Sequence, residues 1–368
     1  MLAGVVSAWA QEPSAVAWAP VVELRQRLTV GDTAQDIGVR ARVGLEVSRR
    51  SVTARVSLQA LQSWTALEDG AVVPVGGPPE LAEGWARVSG ELTRNIGAEL
   101  TVGRQALVVH EGRLLGPDDF TLGGQFLDAL RLEARARPFS FEYVNARRFD
   151  IDDSLGLGVN VLRGGASIDG PITRWTTDLV WVVDGRRTDA VSSTAGLYAR
   201  LETGRLRGRV EAYLQPRPDG TGSFVGLSGG WVFGPNERWI VELRYDGASG
   251  DTSGELRATS AWRPVLGNSH TFNGLLDRFT EPDDDDGRGL ADAQLYVQVR
   301  PIPQITARME VHHFRSPLDT APYGTEADLR GAWSFTPVAS LGAGGAYFFG
   351  AEGFEDARYG FLELNVSF

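Results

Sequence analysis

Every strong cation in this sequence is arginine: 36 residues carry a permanent positive charge and none is lysine. A guanidinium is a planar fork of donors that meets a carboxylate bidentately, so its neighbours decide its chemistry. Arg40, Arg42, Arg87, Arg131, Arg135, Arg200 and Arg244 occupy alternate positions in segments where apolar and polar residues alternate. Carboxylates such as Glu133, Glu211, Asp246, Asp292, Glu310 and Asp328 share that polar face. A second group gathers in the glycine-punctuated stretch GRQALVVHEGRLLGPDDFTLGGQFLDALRL, Gly103 to Leu132, which holds Arg104, Arg113, Asp118, Asp119 and Asp128. Two chemistries fit these groups. One is a guanidinium track that guides an anionic solute by weak, repeated contact. The other is a cross-strand ladder of ion pairs that stiffens a wall.

Catalysis finds little support. The four histidines, His110, His270, His312 and His313, form no HExxH, and no Gly-x-Ser-x-Gly is present. His312 and His313 are neighbours in an extended segment, so they point to opposite faces and cannot ligate one ion together. GLGVNVLRGGASIDG lacks the spacing and the following helix of a nucleotide loop. The acidic run EPDDDDGRG, residues 281–289, lacks the alternate-position ligands of an EF-hand and reads as a solvated loop. The chain is therefore expected not to be an enzyme and to need no cofactor or resident metal. Cysteine is absent, which removes disulfides and thiolate chemistry, and a net charge of −11 disfavours nucleic acid as a partner.

The elements that must position the arginines alternate with period two almost throughout the 368 residues. In DIGVRARVGLEVS, Ile37, Val39, Ala41, Val43, Leu45 and Val47 share one face, and Asp36, Arg40, Arg42, Glu46 and Ser48 the other. RLRGRVEAYLQ and ADAQLYVQVR repeat the split. Counting such runs predicts about eighteen strands, including residues 84–94 and 96–110, at lengths that suit a tilted bilayer crossing. Links after even-numbered strands are tiny, such as Arg49-Arg50 and Thr203-Gly204, whereas those after odd-numbered strands reach about 40 residues between Tyr245 and Ala291. Short turns at one end and long loops at the other predict an all-β fold: a transmembrane antiparallel β-barrel with periplasmic turns and extracellular loops. Residues 11–368 form that single barrel, and MLAGVVSAWA, residues 1–10, reads as the rear of a secretory signal. Trp18, Trp175, Trp181, Trp231, Trp239, Trp262 and Trp333 are expected near interfacial girdles.

The terminal strand RYGFLELNVSF closes on Phe368 and resembles the signal read by the barrel-assembly machinery of bacterial outer membranes. Gly103-Arg104-Gln105, Gly112-Arg113-Leu114, Gly116, Phe120 and Phe126 to Arg131 resemble the GRQ…RLxG…F/W…FDGVR pattern of the alginate-export porin family. WRPVLGNSHTFNGLLDRF, Trp262 to Phe279, is similar to that family's FxP…HxFxGxxD segment. Leu127 separates Phe126 from Asp128, and Ala129 replaces a glycine of the pattern. The resemblance implies an eighteen-strand barrel in the bacterial outer membrane that exports an anionic polysaccharide. The residues themselves point more broadly to a passive channel for anionic or polar solutes. The segment Gly112–Gln125 starts at the extracellular end and is expected to fold inward, bringing Arg113 and Asp118-Asp119 near Arg131 and Glu133. A non-transporting surface or structural barrel, its lumen sealed by loops, is the competing expectation.

Overall fold

The computed structural model describes residues 16–32, 34–67, 72–118, 120–147, 158–185, 192–217, 220–251, 260–267, 269–280 and 287–368. The proposed signal remnant at 1–10, Asp119, and residues 281–286 of the acidic run lie outside them. The strands are β1 (Ala17–Gly31), β2 (Ala34–Arg49), β3 (Val52–Leu67), β4 (Val72–Gly76), β5 (Glu80–Thr93) and β6 (Ile96–Gln105). Next come β7 (Leu127–Ala136), β8 (Phe139–Arg147), β9 (Val159–Asp169), β10 (Thr173–Asp184), β11 (Ser192–Thr203), β12 (Leu206–Arg217) and β13 (Gly220–Phe233). The chain finishes with β14 (Trp239–Ala248), β15 (Leu290–Ile302), β16 (Ile305–Arg315), β17 (Pro322–Thr336), β18 (Ala339–Gly350) and β19 (Ala357–Ser367).

Apart from β4 and β5, each strand pairs antiparallel with its neighbours in the chain, and β1 closes the ring on β19, Glu23 facing Ser367 and Gly31 facing Tyr359. β4 and β5 both pair with β3, Val72 to Gly76 against Ala66 to Gln62 and Glu80 to Val88 against Gln59 to Val52. They are two pieces of one stave, so the nineteen strands make eighteen staves. The break falls at Gly77-Pro78-Pro79, where proline has no N–H to give the ladder. This stave therefore begins at Val72, earlier than the 84–94 that alternation alone marks.

The barrel is inside-out relative to a soluble sheet. Ile37, Val43 and Leu45 of β2 are exposed on the outer face, while Arg40 and Arg42 between them are buried. Trp18, Trp231, Trp239 and Trp333 stand exposed at the short-turn ends of their strands, and Trp64 and Trp181 at the long-loop ends. They form two aromatic belts around an apolar wall suited to lipid, and closure of the sheet leaves no backbone edge unpaired there.

The core lies in the lumen. The strand expected to run to His110 ends at Gln105, and the chain turns inside. Gly103 permits this corner: its φ is +122°, and a Cβ there would meet the Gly84 carbonyl oxygen at 2.1 Å. Leu107, Val109, Leu114 and Leu115 then join Val144, Ala146, Val159, Val161, Val180 and Val182 of β8 to β10 in one buried cluster. Trp262 belongs to this cluster too and not to a girdle; it stacks on Tyr213 and leans on Phe224. Two inward segments, residues 106–118 and 120–126 after β6 and residues 260–267 and 269–279 after β14, bond to each other: Gly116 N–H donates to Leu266, and Leu266 N–H to Leu114.

Candidate functional site

The first inward segment is held to β11, β12 and β14 by three polar side chains, His110, Glu111 and Arg113. Tyr213 of β12 gives its single hydroxyl proton to Glu211 at 2.8 Å, so His110 donates to that hydroxyl from Nδ1, also at 2.8 Å. Burial is the main cause that pushes the His110 imidazole down to about 3, with Arg163 adding to it; Asp178, 3.9 Å from Nε2, does not offset this. Glu111 accepts from Tyr198 at 2.8 Å and Arg209 at 3.3 Å and pairs with Arg200. Burial raises its affinity for a proton, but Tyr198, Arg200 and Arg209 together hold the carboxyl below its ordinary range. Arg113 sits between two buried acids, Nε 3.4 Å from Glu211 and its other end paired with Asp246, and lies over the Phe272 ring. His110 and Glu111 have φ of 51° and 58°, a left-handed conformation that costs a non-glycine residue on the order of 1 kcal/mol or more. These side-chain contacts offset that cost.

The same segment then reaches the opposite wall. Phe120 lies beneath the guanidinium of Arg27 on β1, and its carbonyl accepts from Arg27. The Leu122 carbonyl accepts from Arg40 of β2 at 3.1 Å, and the Gly123 carbonyl from Gln59 of β3 at 2.9 Å. The second inward segment is fixed by Gln215 of β12, which donates to the Arg263 carbonyl at 2.6 Å. On the other side Leu275 and Leu276 N–H donate to Asp328 and Glu326 of β17, at 3.1 and 3.0 Å. The two segments thus span the long-loop half of the lumen from wall to wall.

The sequence-selected arginines divide by depth. Arg40 and Arg42 are buried beside Glu23, and Arg42 also bonds Gln59 at 3.0 Å. Toward the short turns the pairs are wetter: Arg87 with Glu99 at 3.1 Å, Arg131 with Glu142 at 2.6 Å, and Arg135 with Glu133 at 3.0 Å. Arg200 pairs with Glu202 at 2.7 Å and with Glu111, and Arg244 with Glu242 at 2.7 Å and Glu310 at 3.5 Å. Every selected arginine thus has a carboxylate partner.

Three placements correct the sequence reading. Arg113 goes to Glu211 and Asp246, not to the neighbourhood of Arg131 and Glu133. Asp118, at φ 45°, accepts from its own loop's Thr121 at 3.1 Å and from no wall residue among the described contacts. Arg104 and Asp128 pair at 3.4 Å on the outward face, in step with the exposed Leu100, Val102, Leu130 and Leu132, so they do not line the pore. The apolar lumen patch of β8 to β10 was not singled out by sequence. Its trace is the unbroken apolar run Leu179–Val183, where Val180 and Val182 are buried in the lumen while Leu179 and Trp181 stand exposed on the outer face.

An eighteen-stave antiparallel barrel with a lipid-facing apolar belt, a charged interior and inward-folded loops is the fold of a bacterial outer-membrane porin. Solved Pseudomonas aeruginosa structures share it. OccK5 (OpdH) superposes with a TM-score of 0.66 at 12% identity, over 95% of this chain and 97% of that one. The outer membrane protein OpdK gives 0.65 at 12%, over 96% and 98%. OprD gives 0.63 at 10%, over 97% of both chains. The sequence matches no family model. It matches no curated protein either.

Proposed function

We propose that this barrel is a narrow diffusion channel of the bacterial outer membrane for small anionic or polar solutes. The observation that carries the reading is the division of the lumen. Two docked segments restrict the long-loop half, while the short-turn half keeps partly exposed arginines, Arg87, Arg135, Arg174 and Arg200, in contact with water. A restriction excludes large solutes, and paired but wetted guanidiniums offer an anion contacts weak enough to leave again. One of the similar proteins, OpdK, has been crystallised with vanillate, a small carboxylate. A polysaccharide such as alginate is the less favoured cargo, because a polymer would have to thread past segments anchored on both walls. Its support stays with the two short sequence blocks. Phe368 pairs with Val22 in both directions and leaves its ring exposed, which suits a residue read by the assembly machinery.

The wall-to-wall anchoring also favours a second reading, a lumen sealed by its loops. Planar-bilayer recording of the purified barrel separates the two. Discrete conductance steps with anion preference are expected. A folded protein that never conducts, yet does so once residues 106–125 are replaced by a short linker, would establish the sealed barrel instead.

A further inference from the structure

We propose that the lumen wall of β15 to β17 holds a divalent metal ion of the zinc class, ligated by His312, Asp328 and Glu310. Alternation turns Asp292 and Gln294 of β15, Glu310 and His312 of β16, and Glu326 and Asp328 of β17 inward, and the register sets His312 opposite Gln294 and Glu326, and Glu310 opposite Asp328. The ligand atoms of Glu310, His312 and Asp328 all lie within 4.8 Å of one another, and all three residues are buried. His312 Nε2 stands 3.9 Å from Asp328, a separation two ligands of one ion can have when each bond is about 2.0–2.2 Å.

The imidazole is oriented as a ligand. His312 Nδ1 is 2.8 Å from Asp292, whose carboxylate is acceptor-only when ionised, so in the neutral ring that a metal ion requires the proton belongs on Nδ1 and the Nε2 lone pair faces Asp328 and Glu310. A carboxylate behind the far nitrogen is the outer-shell arrangement that fixes metal-binding histidines. His312 is 1% exposed and its Nε2 has no hydrogen-bond partner; Asp328 Oδ2, 3.9 Å away, takes the Leu275 amide, and Asp328 Oδ1 has no partner.

Charge points the same way. Glu310 is held by Arg308 at 2.6 Å and Arg330 at 2.7 Å, but among the described residues no arginine lies within ion-pair distance of Asp292, Glu326 or Asp328. Three acids at most 2% exposed share one imidazole, a surplus of negative charge that burial makes costly unless a cation joins it. One nitrogen among oxygens suits zinc over calcium or magnesium. Because Asp328 and Glu326 also receive the amides of Leu275 and Leu276, the ion would brace the inward segment against the wall.

The test is titration of the folded, tag-free, chelator-treated barrel with zinc chloride, followed by calorimetry and by X-ray absorption at the zinc edge. One saturable equivalent per chain is expected, with a single imidazole among oxygen ligands. His312→Gln and Asp328→Asn should each weaken binding by 10-fold or more, while His313→Gln, exposed on the other face, leaves it unchanged. No saturable binding, a spectrum without imidazole, or equal affinity in the His312→Gln barrel would overturn the site. The absorption spectrum needs no variant, so it decides even where a substitution prevents folding. Surplus charge met by protons alone would show as no bound zinc.

Discussion

Arg113 and Arg135 are both lumen arginines bonded to carboxylates, and they sit in different media. Arg113 keeps 7% of its side-chain surface, wedged between Glu211 and Asp246 over the Phe272 ring, whereas Arg135 keeps 73% beside Glu133 near the short turns. The long-loop half of the lumen is packed by two inward segments, and the short-turn half is open to water. An ion pair in the first is a structural joint, since removing one partner strands the other in low dielectric. A pair in the second is screened and exchangeable, as a solute path requires.

Replacing residues 106–125 with a short linker should have the largest effect, raising single-channel conductance severalfold; unchanged conductance would erase the difference between the halves. Arg113→Ala comes next. It leaves Glu211 and Asp246 with only the longer ion pairs to Arg209, at 3.6 and 3.7 Å, which costs about 3 kcal/mol, and a lower temperature of heat-induced gel-mobility shift should report it.

Acid should blur the comparison from the packed side first. The docked segment holds His110 near 3 instead of 6.5, so its released form binds a proton more readily. Docking therefore weakens as pH falls below about 6.5, by up to tenfold per unit until about 3. Glu111, held below its ordinary range, contributes stability above that range and loses it only at lower pH still. Current that grows more frequent or larger between pH 6 and 4 is the expected record, and His110→Gln should flatten the part that begins near 6.5. The smallest effect belongs to the wet half: Arg135→Ala should change stability by less than about 1 kcal/mol while moving the reversal potential toward cations.

The staves were legible because period-two alternation is local, and the turn-loop asymmetry survives in the links. Pairing found what a run of residues could not: Val72 to Gly76 continue the stave that starts again at Glu80, across Pro78-Pro79. Faces were less secure, since a shift of one residue exchanges them. Leu127 takes the inward place and carries Asp128, with its partner Arg104, to the lipid side. The inward turn at Gly112–Gln125 was anticipated from its extracellular start and its length, but its destination was not. That depends on Glu211, Asp246 and the valines of β8 to β10, which lie far along the chain and become neighbours only when the ring closes.

The division of the lumen can be read from single thiols, because the chain has no cysteine of its own. Leu114→Cys and Arg135→Cys barrels, reconstituted in vesicles and exposed on both sides to a charged, membrane-impermeant maleimide, compare the halves directly. Leu114 is fully buried in the inward segment, so its thiol should stay unlabelled while that at 135 reacts within minutes. Equal rates at the two positions would mean that the long-loop half is as wet as the other, and the account of a packed restriction would fail.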